Sequence, residues 1–168
     1  SFADYDADGD VDLYASIFGT FDRFYADVGA AQFGVSEVGN EGDAVGITSG
    51  DYDNDGDLDV YVINQSRRST LSRNDLETSA FVDVGEESGT ENLALGAGCA
   101  FGDFDADGDL DLFRSGSDRF GNEFTFLYSN SSGVLSIDST QTEVLGSLNL
   151  KESSAAWGDY DDDGLIDL

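Results

Sequence analysis

Gly50-Asp51-Tyr52-Asp53-Asn54-Asp55-Gly56-Asp57-Leu58-Asp59-Val60 decides how this chain is read. Counted from Asp51, carboxylates stand at the first, third, fifth and ninth places. A glycine stands sixth, where the backbone must turn sharply enough to gather them around one point. The same D-x-D-x-D-G-x-x-D pattern starts again at Asp4, Asp103 and Asp159. Calcium is a hard cation that takes six to eight oxygens at about 2.3–2.6 Å, so carboxylates plus a backbone carbonyl suit it and soft ligands do not. The spacing therefore predicts about four calcium ions, one per loop. The seventh place should give only its carbonyl and tolerate any side chain; it holds Asp10, Asp57, Asp109 and then Leu165.

An EF-hand shares the first six places but needs a bidentate glutamate at the twelfth and a helix on each side. The twelfth place here is Ala15, Val62 and Arg114 in the three loops that reach it. The residues after the loops are β-prone, as in Leu58-Asp59-Val60-Tyr61-Val62-Ile63 and Leu110-Asp111-Leu112-Phe113, with partial alternation of period two. Each loop is thus expected to join two strands of a hairpin.

Seven basic residues face 36 acids in 168 residues, a net charge of -29 that opposes compaction and repels nucleic acid and anionic membranes. The four loops hold 20 of those acids, so bound calcium would offset a good part of the repulsion. The single cysteine, Cys99, excludes an intramolecular disulfide, and Ala97-Gly98-Cys99-Ala100-Phe101 reads as a buried strand. No apolar run is long enough for a membrane span. The absence of methionine and of a leader predicts that the sequence begins inside a larger or processed chain. Calcium sites of modest affinity suit the outside of a cell, so a secreted or cell-surface location is expected.

The loops begin 47, 52 and 56 residues apart, a period expected of propeller blades. Four strands are predicted per period: in the second unit Ala44–Ser49, Leu58–Asn64, about Ser69–Arg73 and Ala80–Val84. Each second half carries its own marker, Arg23-Phe24-Tyr25-Ala26-Asp27, Thr70-Leu71-Ser72-Arg73-Asn74 and Phe126-Leu127-Tyr128-Ser129-Asn130. Small residues in 96–98 and 154–156 would let inner strands pack tightly, with Phe2, Phe101 and Trp157 filling space between blades. The longer third interval is read as a surface loop inserted over Gly116–Glu123.

These loops, with Leu71-Ser72-Arg73-Asn74 and Phe81-Val82-Asp83-Val84, resemble the FG-GAP/VCBS repeats of integrin α-subunit-like β-propellers, and are similar to bacterial relatives of cartilage acidic protein. The resemblance covers essentially the whole chain. It implies an all-β, calcium-binding propeller of four-stranded blades, usually extracellular and commonly of seven blades. Residues 1–168 would form a single segment with repeats at about 1–43, 44–96, 97–152 and a partial 153–168, some three and a half blades of a larger propeller or of an assembly of chains. By matching position, the resemblance makes ligands of Asp4, Asp6, Asp8 and Asp12; Asp51, Asp53, Asp55 and Asp59; Asp103, Asp105, Asp107 and Asp111; and Asp159, Asp161, Asp163 and Asp167. The carbonyls of Asp10, Asp57, Asp109 and Leu165 would complete the shells.

Catalysis has little to stand on. There is no histidine, Cys99 reads as buried, and serine lacks a G-x-S-x-G elbow. The expected role is adhesion, recognition or assembly through an unidentified protein or glycan ligand. The alternatives are a carbohydrate-binding or enzyme-accessory propeller and a subunit of an extracellular polymer. Arg67-Arg68 with Arg73 forms the one basic cluster, and Phe21, Phe24, Tyr25, Phe120, Phe124, Phe126 and Tyr128 serve either as blade core or as a sugar-stacking face. Asn64-Gln65-Ser66 and Asn130-Ser131-Ser132 match a glycosylation acceptor.

Overall fold

A computed structural model describes residues 1–168 apart from 31, 66, 77, 79, 91–97, 118–119, 148–149 and 151–152. The period-two runs become three antiparallel sheets of four strands, each a meander in chain order. The first holds β1 (Phe2–Ala3), β2 (Asp12–Ala15), β3 (Thr20–Asp27) and β4 (Phe33–Gly42). The second holds β5 (Ala44–Gly50), β6 (Asp59–Asn64), β7 (Thr70–Asp75) and β8 (Ala80–Asp83). The third holds β9 (Cys99–Gly102), β10 (Asp111–Ser117), β11 (Glu123–Ser131) and β12 (Val134–Ile137). This is the blade architecture of a propeller. Each acidic loop spans the first turn of its blade, and an isolated antiparallel bridge between Gly158 and Asp167 closes the fourth.

The core lies between the blades. Strand β6 is buried at every residue, and its side chains divide by alternation. Val60 and Val62 face the first blade and pack with Tyr5, Tyr14, Phe24 and Phe81, whereas Tyr61 and Ile63 face the third with Tyr52, Leu71, Leu112 and Tyr128. Burying each of the aliphatic side chains fully contributes about 1.5–3 kcal/mol. Four rings of the first interface meet edge-on or tilted, with centroids 5.4–6.3 Å apart.

Glycine at the end of an inner strand is what lets blades approach. A Cβ on Gly50 would stand 2.7 Å from Leu110 Cδ1, beside the Phe101 ring, and one on Gly102 would enter the Trp157 indole. Phe101 and Trp157 therefore fill inter-blade space as expected. Phe2 does not: it is 75% exposed, because no blade lies on the outer side of β1 among the described residues.

Gly116–Glu123 is not a protruding loop as a whole. Gly116 and Ser117 belong to β10 and pair with Phe124 and Glu123 of β11, so extra residues lengthen the ladder instead. The insertion itself is real. The Asp-to-strand bond that spans 15 residues in the first two blades spans 19 in the third. Residues 118–119 of that stretch, and 96–97 of the expected inner strand, lie outside the described residues.

One element was not expected from the sequence. Helix α1 (Ser139–Gly146) follows β12 and has no buried residue. Its start is capped by Asp138, whose Oδ1 accepts the N–H of Thr140 and of Gln141, each at 2.9 Å.

Candidate metal centres

All four loops fold alike, and the sequence shows why. The fourth residue of each loop takes a left-handed conformation, Ala7, Asn54, Ala106 and Asp162 having φ of 57, 59, 60 and 63°. The sixth, Gly9, Gly56, Gly108 and Gly164, has φ of 94, 97, 98 and 89°. Glycine adopts such angles cheaply and Asn54 and Asp162 tolerate them, whereas Ala7 and Ala106 each store strain of about 1–2 kcal/mol. In return the loop turns its own N–H groups inward. Asp51 accepts from Asp55 N at 3.1 Å and Gly56 N at 3.0 Å, Asp103 from Asp107 N at 3.0 Å and Gly108 N at 3.1 Å, and Asp159 from Asp163 N and Gly164 N at 3.1 and 3.0 Å. Asp4 takes Gly9 N at 3.1 Å.

Three of the four expected carboxylates converge in every loop. Oxygens within 4.8 Å of one another come from Asp4, Asp6 and Asp8; from Asp51, Asp53 and Asp59; from Asp103, Asp105 and Asp111; and from Asp159, Asp161 and Asp167. Asp12, Asp55, Asp107 and Asp163 stand outside these triads. Asp55, Asp107 and Asp163 each use Oδ1 to accept the N–H two residues on, at 2.9 Å, as does Asp8.

The ninth carboxylate anchors the loop to the blade. Asp59 is fully buried; Oδ2 accepts Tyr52 N at 3.1 Å and Oδ1 accepts Asn74 N, at the end of β7, at 2.8 Å. Asp12 repeats this with Tyr5 N and Asp27 N, both at 2.8 Å, and Asp111 with Phe104 N at 2.9 Å and Asn130 N at 2.8 Å. Burial pushes the Asp59 carboxyl up to about 8 and that of Asp111 up to about 6, partly offset by these N–H donors and reinforced by neighbouring aspartates. Burial likewise raises Asp53, with Asp55 adding to the effect and Arg73 opposing it. Asp53 Oδ1 is buried without a hydrogen-bond partner.

Such a cluster of carboxylates has the donors to hold a cation. Several negative groups held together, one with an orphaned oxygen, are costly unless a positive charge joins them, and an all-oxygen donor set suits a hard divalent ion.

The seventh place departs from expectation, because its side chain is not idle. Asp57 Oδ2 accepts Leu76 N at 3.0 Å and Asp109 Oδ2 accepts Ser132 N at 2.7 Å, tying loop to outer hairpin. Asn54 Nδ2 also donates to Asp109 Oδ1 at 2.7 Å, joining the second loop to the third. Asp10 and Leu165 occupy the same place and are both exposed.

Two further residues escaped the sequence reading. Asn74 Nδ2 donates to Tyr5 O at 2.7 Å, and Asn130 Nδ2 donates to Tyr52 O at 2.6 Å and Leu110 O at 2.8 Å. Each asparagine thus holds its own blade to the preceding blade's acidic loop. Both marker sequences end in asparagine, which is the signal that could have found them. Asn64 and Asn130 are buried and engaged through Nδ2, which contradicts a glycan-acceptor role; Ser66 lies outside the described residues.

The basic cluster is divided. Arg73 lies beside Asp53 in a cleft at the second loop, whereas Arg67 and Arg68 line a different depression with Phe21 and Glu41. The aromatics also divide: Tyr128 is core and Phe24, Phe124 and Phe126 pack half-buried against the core clusters, while Phe21 and Phe120 are 38% and 75% exposed. Cys99 is buried and its thiol is pushed up to about 12 by that burial.

Blades of this topology, each opening on an acidic turn, define a propeller-type β-repeat protein. Within that class, residues 51–114, the span from the second acidic loop into β10, match the family model of the FG-GAP-like repeat. A search of the curated proteins gives no match to the chain.

Proposed function

We propose that this chain is a calcium-stabilised β-propeller segment of an extracellular or cell-surface protein, of the integrin α-like kind, that works in adhesion, recognition or assembly rather than catalysis. The observation that carries the reading is the convergence of three carboxylates in each of the four loops, from the first, third and ninth places in three of them and from the first, third and fifth in the loop that starts at Asp4. Asp4, Asp6, Asp8 and Asp12, and their counterparts from Asp51, Asp103 and Asp159 onward, would hold the ions, with the carbonyls of Asp10, Asp57, Asp109 and Leu165.

When bound, the ion supplies charge neutralisation and a crosslink within the turn. The chain's own residues do the rest. The ninth aspartate of the first three loops fastens the turn to the blade, and Asn74 and Asn130 fasten blade to blade. Binding to the folded state alone adds to stability in proportion to the logarithm of calcium concentration. Free calcium is high outside cells, which favours an exported setting for sites of this kind. No helix is long and apolar enough to cross a membrane among the described residues.

A non-catalytic role fits the lack of histidine and the buried thiol of Cys99. Isothermal titration of chelator-stripped protein with calcium tests the reading. About four equivalents are expected, with magnesium binding far more weakly because it demands a smaller octahedral shell; stoichiometry near zero contradicts it.

A further inference from the structure

Only seven basic residues serve this acidic chain, and two of them, Arg67 and Arg68, stand together where the β6–β7 turn meets the first blade. With Phe21 and Glu41 they line a depression of about 420 Å³. By the antiparallel order of the strands, it lies at the end of the blades opposite the acidic loops. We propose that this cleft binds an acidic sugar, a hexuronate unit carried singly on an otherwise neutral glycan. The proposal rests on the recognition role above and names its ligand.

The cleft is built before any ligand arrives. Asn64 is buried against Gly42, where no Cβ would fit, and its Nδ2 donates to Arg68 O at 2.9 Å. Gln65 N donates to Asp43 O at 2.8 Å, fixing the turn that bears the arginines to the first blade. Across the cleft, Gly19 N donates to Gly42 O at 2.7 Å, and Ile17 N donates to the buried Asp22 Oδ1 at 3.1 Å, fixing the turn that leads into the start of β3, where Phe21 stands. A backbone fixed in advance lowers the cost of binding, which then falls on the exposed arginine side chains.

Its chemistry selects the ligand. A guanidinium recognises a carboxylate through paired N–H donors. Phe21, 38% exposed, offers a ring to the C–H face of a sugar. Glu41 can only accept, which asks for a hydroxyl; it now holds Arg67 Nη2 at 3.6 Å, in a pair more than half exposed on both sides and easily exchanged. A hexuronate presents carboxylate, C–H face and hydroxyls on one ring. An aspartate side chain of a peptide brings the carboxylate without a hydroxyl for Glu41. The net charge of -29 repels polyanions, hence a single acidic unit among neutral sugars.

The test is a nuclear magnetic resonance titration of the full chain, isotopically labelled and calcium-loaded, with methyl glucuronoside. Its methyl ester, methyl glucoside and N-acetyl-aspartate amide serve as comparisons. Amide signals of Phe21, Glu41, Arg67 and Arg68 should move with the uronide. Esterification or R67Q/R68Q should weaken binding about tenfold or more, and F21A about threefold, with melting temperatures unchanged. Signals unmoved at these residues, an ester that binds equally, or an aspartate amide that binds as well as the uronide would each overturn the proposal. Melting of the same sample with and without calcium separates this from the parent reading: calcium stabilisation without uronide binding removes the sugar site alone.

Discussion

Asp59 serves the metal centre and the blade at once, and the two demands pull its titration in opposite directions. Fully buried and without a cation, its carboxyl is pushed up to about 8 against an ordinary value of 3.8. A carboxyl that binds its proton more tightly when folded stabilises the fold below the unfolded value and loses that contribution as pH rises to the folded one. Buried Asp22 and Asp111, each pushed up to about 6 by burial, act with the same sign. Denaturant titrations without calcium should therefore give stability that falls between about pH 4 and pH 8. With saturating calcium, which favours the ionised form, the trend should reverse over that window. The neighbouring places separate ligand from stitch. Asp53→Ala should cost little in chelator and much in calcium. Asp57→Ala removes the bond to Leu76 N and should cost about 0.5–1.5 kcal/mol in either condition. Urea melts of both variants with and without calcium check this, and equal calcium-dependent losses would remove Asp53 from the ligand set.

Within each blade, the hairpin and its acidic turn were legible because glycine sixth and carboxylates in alternate places leave the chain few ways to fold. The four strands of the second blade follow the β-branched runs within a residue or two. The left-handed fourth place was not legible, since Ala7 and Ala106 give no sign of it. Nor was the use of the seventh side chain, because Leu165 suggested indifference. The α1 helix is short and has no apolar face, so only its Asp138-Ser139-Thr140-Gln141 start announced it. Contacts between blades were the least legible, since they join residues far apart in sequence. They can be tested there. Asn130→Ala leaves the carbonyls of Tyr52 and Leu110 without their donor and should cost about 2–3 kcal/mol in a urea melt, with or without calcium. Gly102→Ala should displace the indole of Trp157, the only tryptophan, and shift its fluorescence to longer wavelength with only local loss of stability. An unshifted spectrum would mean that the indole does not lie on Gly102.

Across the full chain, charge and packing oppose one another. Three blades bury their aromatic and aliphatic faces between them, while 36 acids, 20 of them in four turns, press the structure apart. The asparagine and aspartate stitches hold turns to strands and blade to blade, but they add no positive charge. On this account divalent cations supply it, and the folded state depends on them more than on any one side chain. The direct measurement is calorimetric melting of the wild-type chain in excess calcium and in chelator at equal ionic strength. A rise of well over about 10 °C with calcium is predicted, since several sites each contribute in proportion to the logarithm of free ion over dissociation constant. The same melting temperature in both conditions would contradict it.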